Sequence, residues 1–222
     1  PSASSRSVAE LAFGHLFSIV RFLDKAHREM TEKGHTEFNA LKKSYAKGIE
    51  IEGKTLGVIG MGRIGQATMK MGLGLGMEVL AFDPFVEEVT ITLGNSAYEV
   101  KIPIKKTQLD EPFAKADVIS IHVPGLPQPI INADEFAKMK DGVIFINCSR
   151  GGVVNEDAMV EALNSGKVSA AGVDVFDNEP TPRIDILQHP RVSCTPHIGA
   201  STLEAQEKVG SELATQLIEI LG

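Results

Sequence analysis

The sequence predicts a doubly wound α/β fold with a parallel sheet, on three observations. Short apolar runs alternate with helix-patterned stretches from Thr55 to Thr195. Those runs are continuous, without the in–out alternation of a sheet that has one wet face, so both faces must be covered. The helix-patterned stretches also open on capping residues: Asn132 with Glu135, Asn155 before two acids, and Ser201 with Glu204.

In chain order, a polar linker (1–6) leads to a helix over 7–30, where Val8, Leu11, Ala12, His15, Leu16, Ile19 and Leu23 recur at three- and four-residue spacing. Ser7 with Glu10 reads as its capping box. A polar connection follows, then a strand Thr55–Ile59, helix from Arg63 to about Leu75 and strand Glu78–Phe82. The alternation continues with strand Asp117–His122, helix Ala133–Lys140, strand Gly142–Asn147 and helix Glu156–Asn164, stopped by Gly166. Strands Ala170–Val175 and Val192–Thr195 and a helix Thr202–Leu221 complete the order. Residues 89–103 interrupt the rhythm: two β-patterned runs flank Leu93-Gly-Asn-Ser and predict an inserted antiparallel hairpin.

Composition narrows the function. With 43% hydrophobic and 23% charged residues the chain can bury a core, which excludes general disorder. The net charge of −7 argues against non-specific nucleic-acid binding, because phosphates call for a basic face. No apolar run approaches a bilayer span, so no membrane role is expected. The two cysteines, Cys148 and Cys194, make no disulfide framework, and no Cys/His spacing suits zinc; a reducing cytoplasm is the expected location.

Gly60-Met-Gly62-Arg-Ile-Gly65 lies between an apolar strand and a helix. The glycines permit a tight turn, close approach of a pyrophosphate and close helix–strand packing, and the helix start offers free N–H groups. Asp83, eighteen residues past Gly65, ends the next strand, where a carboxylate accepts hydrogen bonds from a ribose diol. It is followed by Pro84 and Phe85 rather than a basic residue, which favours NAD over NADP. The other reading of Asp83 is a turn residue before proline.

Arg150, Glu179 and His197 each follow an expected strand, and in an open parallel sheet ligands bind beyond the carboxyl ends. Singly, they also read as a solvated loop charge, a surface acid and a capping histidine. Together they form an acid–base set for hydride chemistry: a cation for a carboxylate, a proton donor for a developing alkoxide, and a Glu that orients the histidine and favours its protonated form.

Five stretches resemble one family. Val58-Ile-Gly-Met-Gly-Arg-Ile-Gly-Gln66, His122-Val-Pro124, Ile146-Asn-Cys-Ser-Arg-Gly-Gly-Val-Val-Asn-Glu156, Ala171-Gly-Val-Asp-Val-Phe176 and Thr195-Pro-His-Ile-Gly-Ala-Ser-Thr202 are similar, in order, to the D-isomer-specific 2-hydroxyacid dehydrogenases. The run from His197 through Glu204-Ala-Gln206 is most similar to the D-3-phosphoglycerate dehydrogenase branch. The resemblance implies a Rossmann-like NAD-binding domain over 7–198 and a helix 199–222 returning toward a substrate domain. It also implies that Arg150 binds the substrate carboxylate and carbonyl, that His197 is the acid–base and that Glu179 pairs with it. For the cofactor it implies Arg63 and Ile64 at the pyrophosphate, Asp83 at the ribose and Asp174 at the carboxamide. The His122–Val123–Pro124 step, Cys148, Ser149 and Arg150, and His197, Gly199 and Ala200 would lie alongside. Asp174 also reads as a buried strand-end cap.

The family pattern places part of the substrate domain ahead of Pro1, and any regulatory domain beyond Gly222. Val123 stands where many phosphoglycerate dehydrogenases have Thr, and the 89–103 hairpin replaces a shorter connection. A 2-hydroxy or 2-keto acid is the expected substrate, with no metal, and family pairing agrees with a homodimer through helix 7–30, where Phe13, Phe17, Val20 and Phe22 lie outside the main stripe. The alternatives are a glyoxylate/hydroxypyruvate reductase and an NAD-sensing corepressor-like protein.

Overall fold

Every residue of strands β5 (Val118–Ile121) and β6 (Val143–Asn147) is buried, as continuous apolar runs require. These strands are the centre of a six-stranded sheet in the computed structural model, which describes residues 3–95 and 97–211. With β1 (Thr55–Ile59), β2 (Glu78–Phe82), β7 (Val168–Val173) and β8 (Val192–Cys194), the order is β2-β1-β5-β6-β7-β8, all pairs parallel. Successive side chains go to opposite faces. Ile59, Ile119, Ile121 and Phe145 pack under helices α4 (Asp110–Lys115), α5 (Ala133–Lys138) and α6 (Glu156–Ser165). Val58, Val118, Ile144 and Ile146 pack under α1 (Ser5–Arg21) and α3 (Arg63–Gly74). The fold is therefore doubly wound.

The local signals act as expected in most places. Asn132 and Glu135 form a reciprocal capping box, the Asn155 side chain accepts the Ala158 N–H at 3.1 Å, and Gly166 takes the left-handed conformation (φ 82°) that ends α6. The hairpin is present and slightly longer than expected, β3 (Glu88–Asn95) against β4 (Tyr98–Lys105). It is anchored by buried Ile91, with Val89, Leu93 and Ile104 packed on the α1–α3 side of the sheet.

The first helix departs from the sequence reading. Instead of one helix over 7–30, α1 ends at Arg21, Phe22 adopts a left-handed backbone (φ 58°), and α2 runs from Leu23 to Ser44. The Phe22 ring rests near Tyr45, centroids 5.8 Å apart. One left-handed residue leaves the apolar spacing intact, so periodicity carries across a break it cannot register. The expected polar connection after residue 30 is helical to Ser44, apart from a kink at Glu37 (φ −118°, ψ 21°), because its Glu, Lys, Ala and Leu are good helix formers. Nor is Ser7 a cap. It lies inside α1, buried, with its hydroxyl 2.8 Å from Thr202 Oγ1, and Ser5 and Arg6 are helical rather than linker. Phe13 and Val20 are buried within the subunit, Val20 beside Ile51, which leaves Phe17 of the off-stripe residues of α1 half-open.

At the far end the cap is Thr202, whose Oγ1 accepts the Ala205 N–H at 3.1 Å, and not Ser201. Residues 203–211 are helical; the remainder of the expected 202–221 helix lies outside the described residues. Two short helices, α4 and α7 (Ile184–Leu187), were not expected from the sequence. No helix among the described residues is long and apolar enough to cross a membrane.

Candidate active site

From β1 the chain steps outward to β2 and then returns to β5 on the other side of β1, so the crevice at the carboxyl ends of β1 and β5 is the switch point of this sheet. The glycine loop fills its floor. Gly60 has φ 103°, and a Cβ there would stand 2.3 Å from the His122 carbonyl oxygen; a Cβ on Gly65 would stand 1.9 Å from the Gly60 carbonyl oxygen. Both positions exclude any side chain. At Gly62 a Cβ would meet nothing within 4 Å, so the loop faces open space where a pyrophosphate needs to approach the backbone. Arg63 is exposed and Ile64 half-buried at the start of α3.

Asp83 takes the turn role of its second sequence reading and also braces the glycine loop. One oxygen accepts the Met61 N–H at 2.8 Å, which ties β2 to the glycine loop, and the other accepts the Phe85 and Val86 N–H groups at 2.8 and 3.2 Å, the turn role. A carboxylate has about four acceptor sites, which leaves capacity for a ribose hydroxyl. His122 borders the loop through its backbone. Its ring is buried, with Nε2 2.9 Å from Ser120 Oγ and Nδ1 unpartnered, and burial lowers its pKa to about 4. Val123 is half-buried beside Gly60, and Pro124 is exposed at the mouth.

The second group of residues is organised by Asp174, at the end of β7. Its side chain is 1% exposed; Oδ1 accepts the Thr195 hydroxyl at 2.5 Å and the Ile198 N–H at 2.9 Å, and Oδ2 accepts the Gly199 N–H at 2.8 Å. The loop after β8 is thereby wrapped around one carboxylate, and His197 sits at its apex with a left-handed backbone (φ 54°). His197 Nδ1 lies 2.7 Å from Glu179 Oε2, and Glu179 Oε1 accepts the Phe176 N–H at 3.0 Å. Burial pulls the Glu179 pKa up, but the hydrogen bonds from His197 and Phe176 and the charges of His197 and Arg150 hold it below the ordinary value.

Arg150 is exposed on the loop after β6, with Nη1 donating to the Ser149 carbonyl at 2.6 Å. That loop is shaped by Asn147, whose Oδ1 accepts the Ser149 N–H and hydroxyl at 3.0 and 2.7 Å. Ser149 and Cys148 are buried, and burial pushes the Cys148 thiol pKa well up. Gly199 is buried and Ala200 exposed, on the segment that leaves His197. A pocket of about 460 Å³ opens beside the acid–base pair, bounded by Phe176, Glu179, Leu187, Pro196 and His197. Among the described residues no cluster of three His, Cys, Asp or Glu is suited to a metal ion.

Sequence reasoning missed the supports. Asn147 and Thr195 stood inside the recognised motifs without an assigned task. Glu156 accepts the Asp177 N–H at 3.0 Å while Asp177 accepts the Gly152 N–H at 2.6 Å, which links the Arg150 and Glu179 loops. His15 was counted as part of an apolar stripe; a ring with two polar atoms at a core position was the available signal.

Residues 13–199 match the family described as D-isomer specific 2-hydroxyacid dehydrogenase, NAD binding domain. The chain belongs to this family. Its cofactor is accordingly NAD, and the glycine loop and the open face of Gly62 fit that group. Over 227 residues it is 44% identical to a hydroxypyruvate reductase of Thermotoga maritima, covering 100% of this chain and 69% of the relative. It is 39% identical over 224 residues to a D-3-phosphoglycerate dehydrogenase of Methanocaldococcus jannaschii, covering 100% of this chain and 40% of that protein. An NAD-dependent formate dehydrogenase from Staphylococcus aureus, solved with NAD, superposes with a TM-score of 0.79 at 26% identity, over 99% of this chain and 63% of that one. The chain thus spans between two-fifths and about two-thirds of these relatives.

The buried state of His122 has a consequence for acid stability in this 2-hydroxyacid dehydrogenase domain. An unfolded histidine takes up its proton near pH 6.5 and the folded one only near 4, so between those values the unfolded state binds more protons and stability falls as pH is lowered. Between pH 7 and pH 5 this amounts to about 2 kcal/mol. Urea unfolding at the two pH values should register it, and His122→Gln should remove that part of the difference; an undiminished difference in the variant would mean that His122 is not the group responsible.

Proposed function

We propose that the full-length protein is an NAD-dependent dehydrogenase interconverting a D-2-hydroxy acid and its 2-keto acid, with D-3-phosphoglycerate and 3-phosphohydroxypyruvate as the pair, in serine biosynthesis in the cytoplasm. The observation that carries the chemistry is the His197–Glu179 bond of 2.7 Å at the carboxyl end of the sheet that also presents the glycine loop. The phosphoglycerate assignment is supported by the His197–Gln206 stretch and by the archaeal relative named for that activity. The Thermotoga relative supports the second reading, a hydroxypyruvate or glyoxylate reductase.

NAD held at this crevice would supply the hydride chemistry. Around it, Arg150 pairs with the substrate carboxylate and carbonyl as a forked cation. Glu179 as a carboxylate only accepts, so His197 Nδ1 carries a hydrogen in both protonation states and Nε2 is left to exchange a proton with the substrate oxygen. In reduction the imidazolium gives up its Nε2 proton to the developing alkoxide and remains bonded to Glu179 through Nδ1–H. In oxidation the same atom takes the hydroxyl proton. For the cofactor, Gly60, Gly62 and Gly65 with Arg63 and Ile64 take the pyrophosphate, Asp83 the ribose, and the segments 122–124, 148–150, 174 and 197–200 the remainder. We extend the proposal to a homodimer. Leu23, Met30 and Phe38 of α2 are exposed, so α2 together with Phe17 is the part of region 7–30 and its continuation that calls for cover.

Initial rates of the full-length protein with NADH and 3-phosphohydroxypyruvate, hydroxypyruvate or glyoxylate test the activity and choose between substrates; activity on none of them refutes it. His197→Ala should lower reduction by ~10²–10⁴-fold. Glu179→Gln should slow reduction and oxidation alike by about tenfold, because the amide no longer offers an acceptor-only group to hold the His197 Nδ1–H and turn Nε2 toward substrate. Unchanged rates in both directions would remove Glu179 from the acid–base pair. Asp83→Ala should weaken NADH binding in calorimetry by about 1.5–3 kcal/mol, the loss of charge-assisted hydrogen bonds; unchanged affinity would remove Asp83 from the ribose site.

A further inference from the structure

Helix α1 buries one polar ring that the acid–base pair does not use. His15, 3% exposed, packs against Gly172 of β7, with Nδ1 2.9 Å from Ser193 Oγ and Nε2 3.0 Å from Thr195 Oγ1. The direction of each bond follows from the protons available. The single Thr195 hydroxyl proton goes to Asp174, so Thr195 Oγ1 accepts the Nε2–H of His15. Nδ1 then accepts the Ser193 hydroxyl proton. This is the neutral Nε2–H tautomer, in keeping with burial, which lowers the pKa of His15 against the opposing charge of Asp174. An unbroken chain of hydrogen bonds therefore runs from α1 through Thr195 and Asp174 to the Ile198 and Gly199 N–H groups, the two residues that follow His197.

We propose that His15 is a positioning residue for the acid–base step: by donating to Thr195 it fixes the Thr195 hydroxyl on Asp174 and so sets the seat of the loop that carries His197. The inference rests on the dehydrogenase reading of His197. His15 touches neither substrate nor cofactor in this role; it acts through Thr195 alone. Without it, Thr195 has freedom to rotate, Asp174 loses a fixed donor, and the loop carrying the left-handed His197 is tied to Asp174 by the Ile198 and Gly199 N–H groups alone rather than by these and the Thr195 hydroxyl. A displacement of about 1 Å at a reacting group is enough to cost ~10²-fold in rate, so a partial loosening should be visible.

The test is a cycle of variants in the full-length protein, His15→Leu, His15→Gln, Thr195→Val and His15→Leu/Thr195→Val. His15→Leu should lower kcat for keto-acid reduction about tenfold with the KM for NADH changed less than about twofold, as expected of a residue that acts on geometry rather than on binding. His15→Gln, whose amide retains a donor toward Thr195, should recover most of that loss. In the Thr195→Val background His15→Leu should add less than about a twofold effect, because the partner it acts through is gone. Wild-type kcat in His15→Leu, equal damage in Gln and Leu, or full multiplication of the two losses would overturn the proposal. A second measurement needs no turnover: the ¹⁵N resonance of His197 Nδ1, bonded to Glu179, should shift in His15→Leu and stay near its place in His15→Gln. An unmoved resonance in the Leu variant counts against the proposal. Should His15→Leu fail to fold, His15→Asn, whose amide stops short of Thr195, replaces it. Absence of turnover in the unsubstituted protein would refute the dehydrogenase reading, whereas the resonance still decides the role of His15.

Discussion

The candidate active site depends on one buried carboxylate. Asp174 accepts a hydroxyl and two backbone N–H groups, and through them it bends the chain after β8 into the loop that presents His197. A carboxylate taken out of water is costly unless its oxygens are satisfied. Here three donors meet that demand, and all three belong to the segment 195–199. The same bonds that make Asp174 tolerable in the core make the loop conformation specific, including the left-handed backbone of a non-glycine residue at its apex. Removing the carboxylate leaves two backbone donors without partners close to the position where a proton has to be handed over, so fold and chemistry share one anchor.

Around that anchor the architecture divides its tasks. The sheet, covered on both faces, supplies rigid strand ends, and loops of a few residues reach from them into the crevice. Loops that short hold their shape only with internal bonds. Asn147 shapes one, Asp83 ties the glycine loop to β2, and the Glu156–Asp177–Gly152 relay joins two others. Each of these is a side chain gripping backbone N–H groups, which leaves the functional groups of Arg150 and His197 exposed and free to act.

What could be read in the sequence follows from the range of the forces involved. β5 and β6 were legible because burial on both faces writes a continuous apolar run, and Asn132 and Gly166 were legible because caps act within one turn. The break at Phe22 was not, since a single left-handed residue shifts no apolar position; nor was the loss of Ser7 as a cap, since its hydroxyl is claimed by Thr202 from the other end of the chain. In the site, Arg150, Glu179 and His197 stood out as charged groups after apolar strands. The residues that hold them did not: Thr195 and His15 acquire their tasks only from neighbours far away in sequence, and Asn147, which bonds to Ser149 two residues on, shapes a loop whose conformation no periodicity records. The expectation of a long helix over 7–30 also spread its uncovered apolar residues too widely: Phe13 and Val20 are core, and the exposed ones are Phe17 on α1 and Leu23, Met30 and Phe38 on α2.

The bond between Ser7 and Thr202, 2.8 Å long, has a topological meaning. It brings the start of α1 against the start of the last helical segment, so that nearly two hundred residues leave one corner of the molecule and come back to it. A module with its two ends side by side can be spliced into a host chain as an insert without stretching that chain. Whatever is joined on either side is connected by two adjacent strands instead of one. Two tethers at a single corner would restrain a joined domain against twisting more than a single tether does.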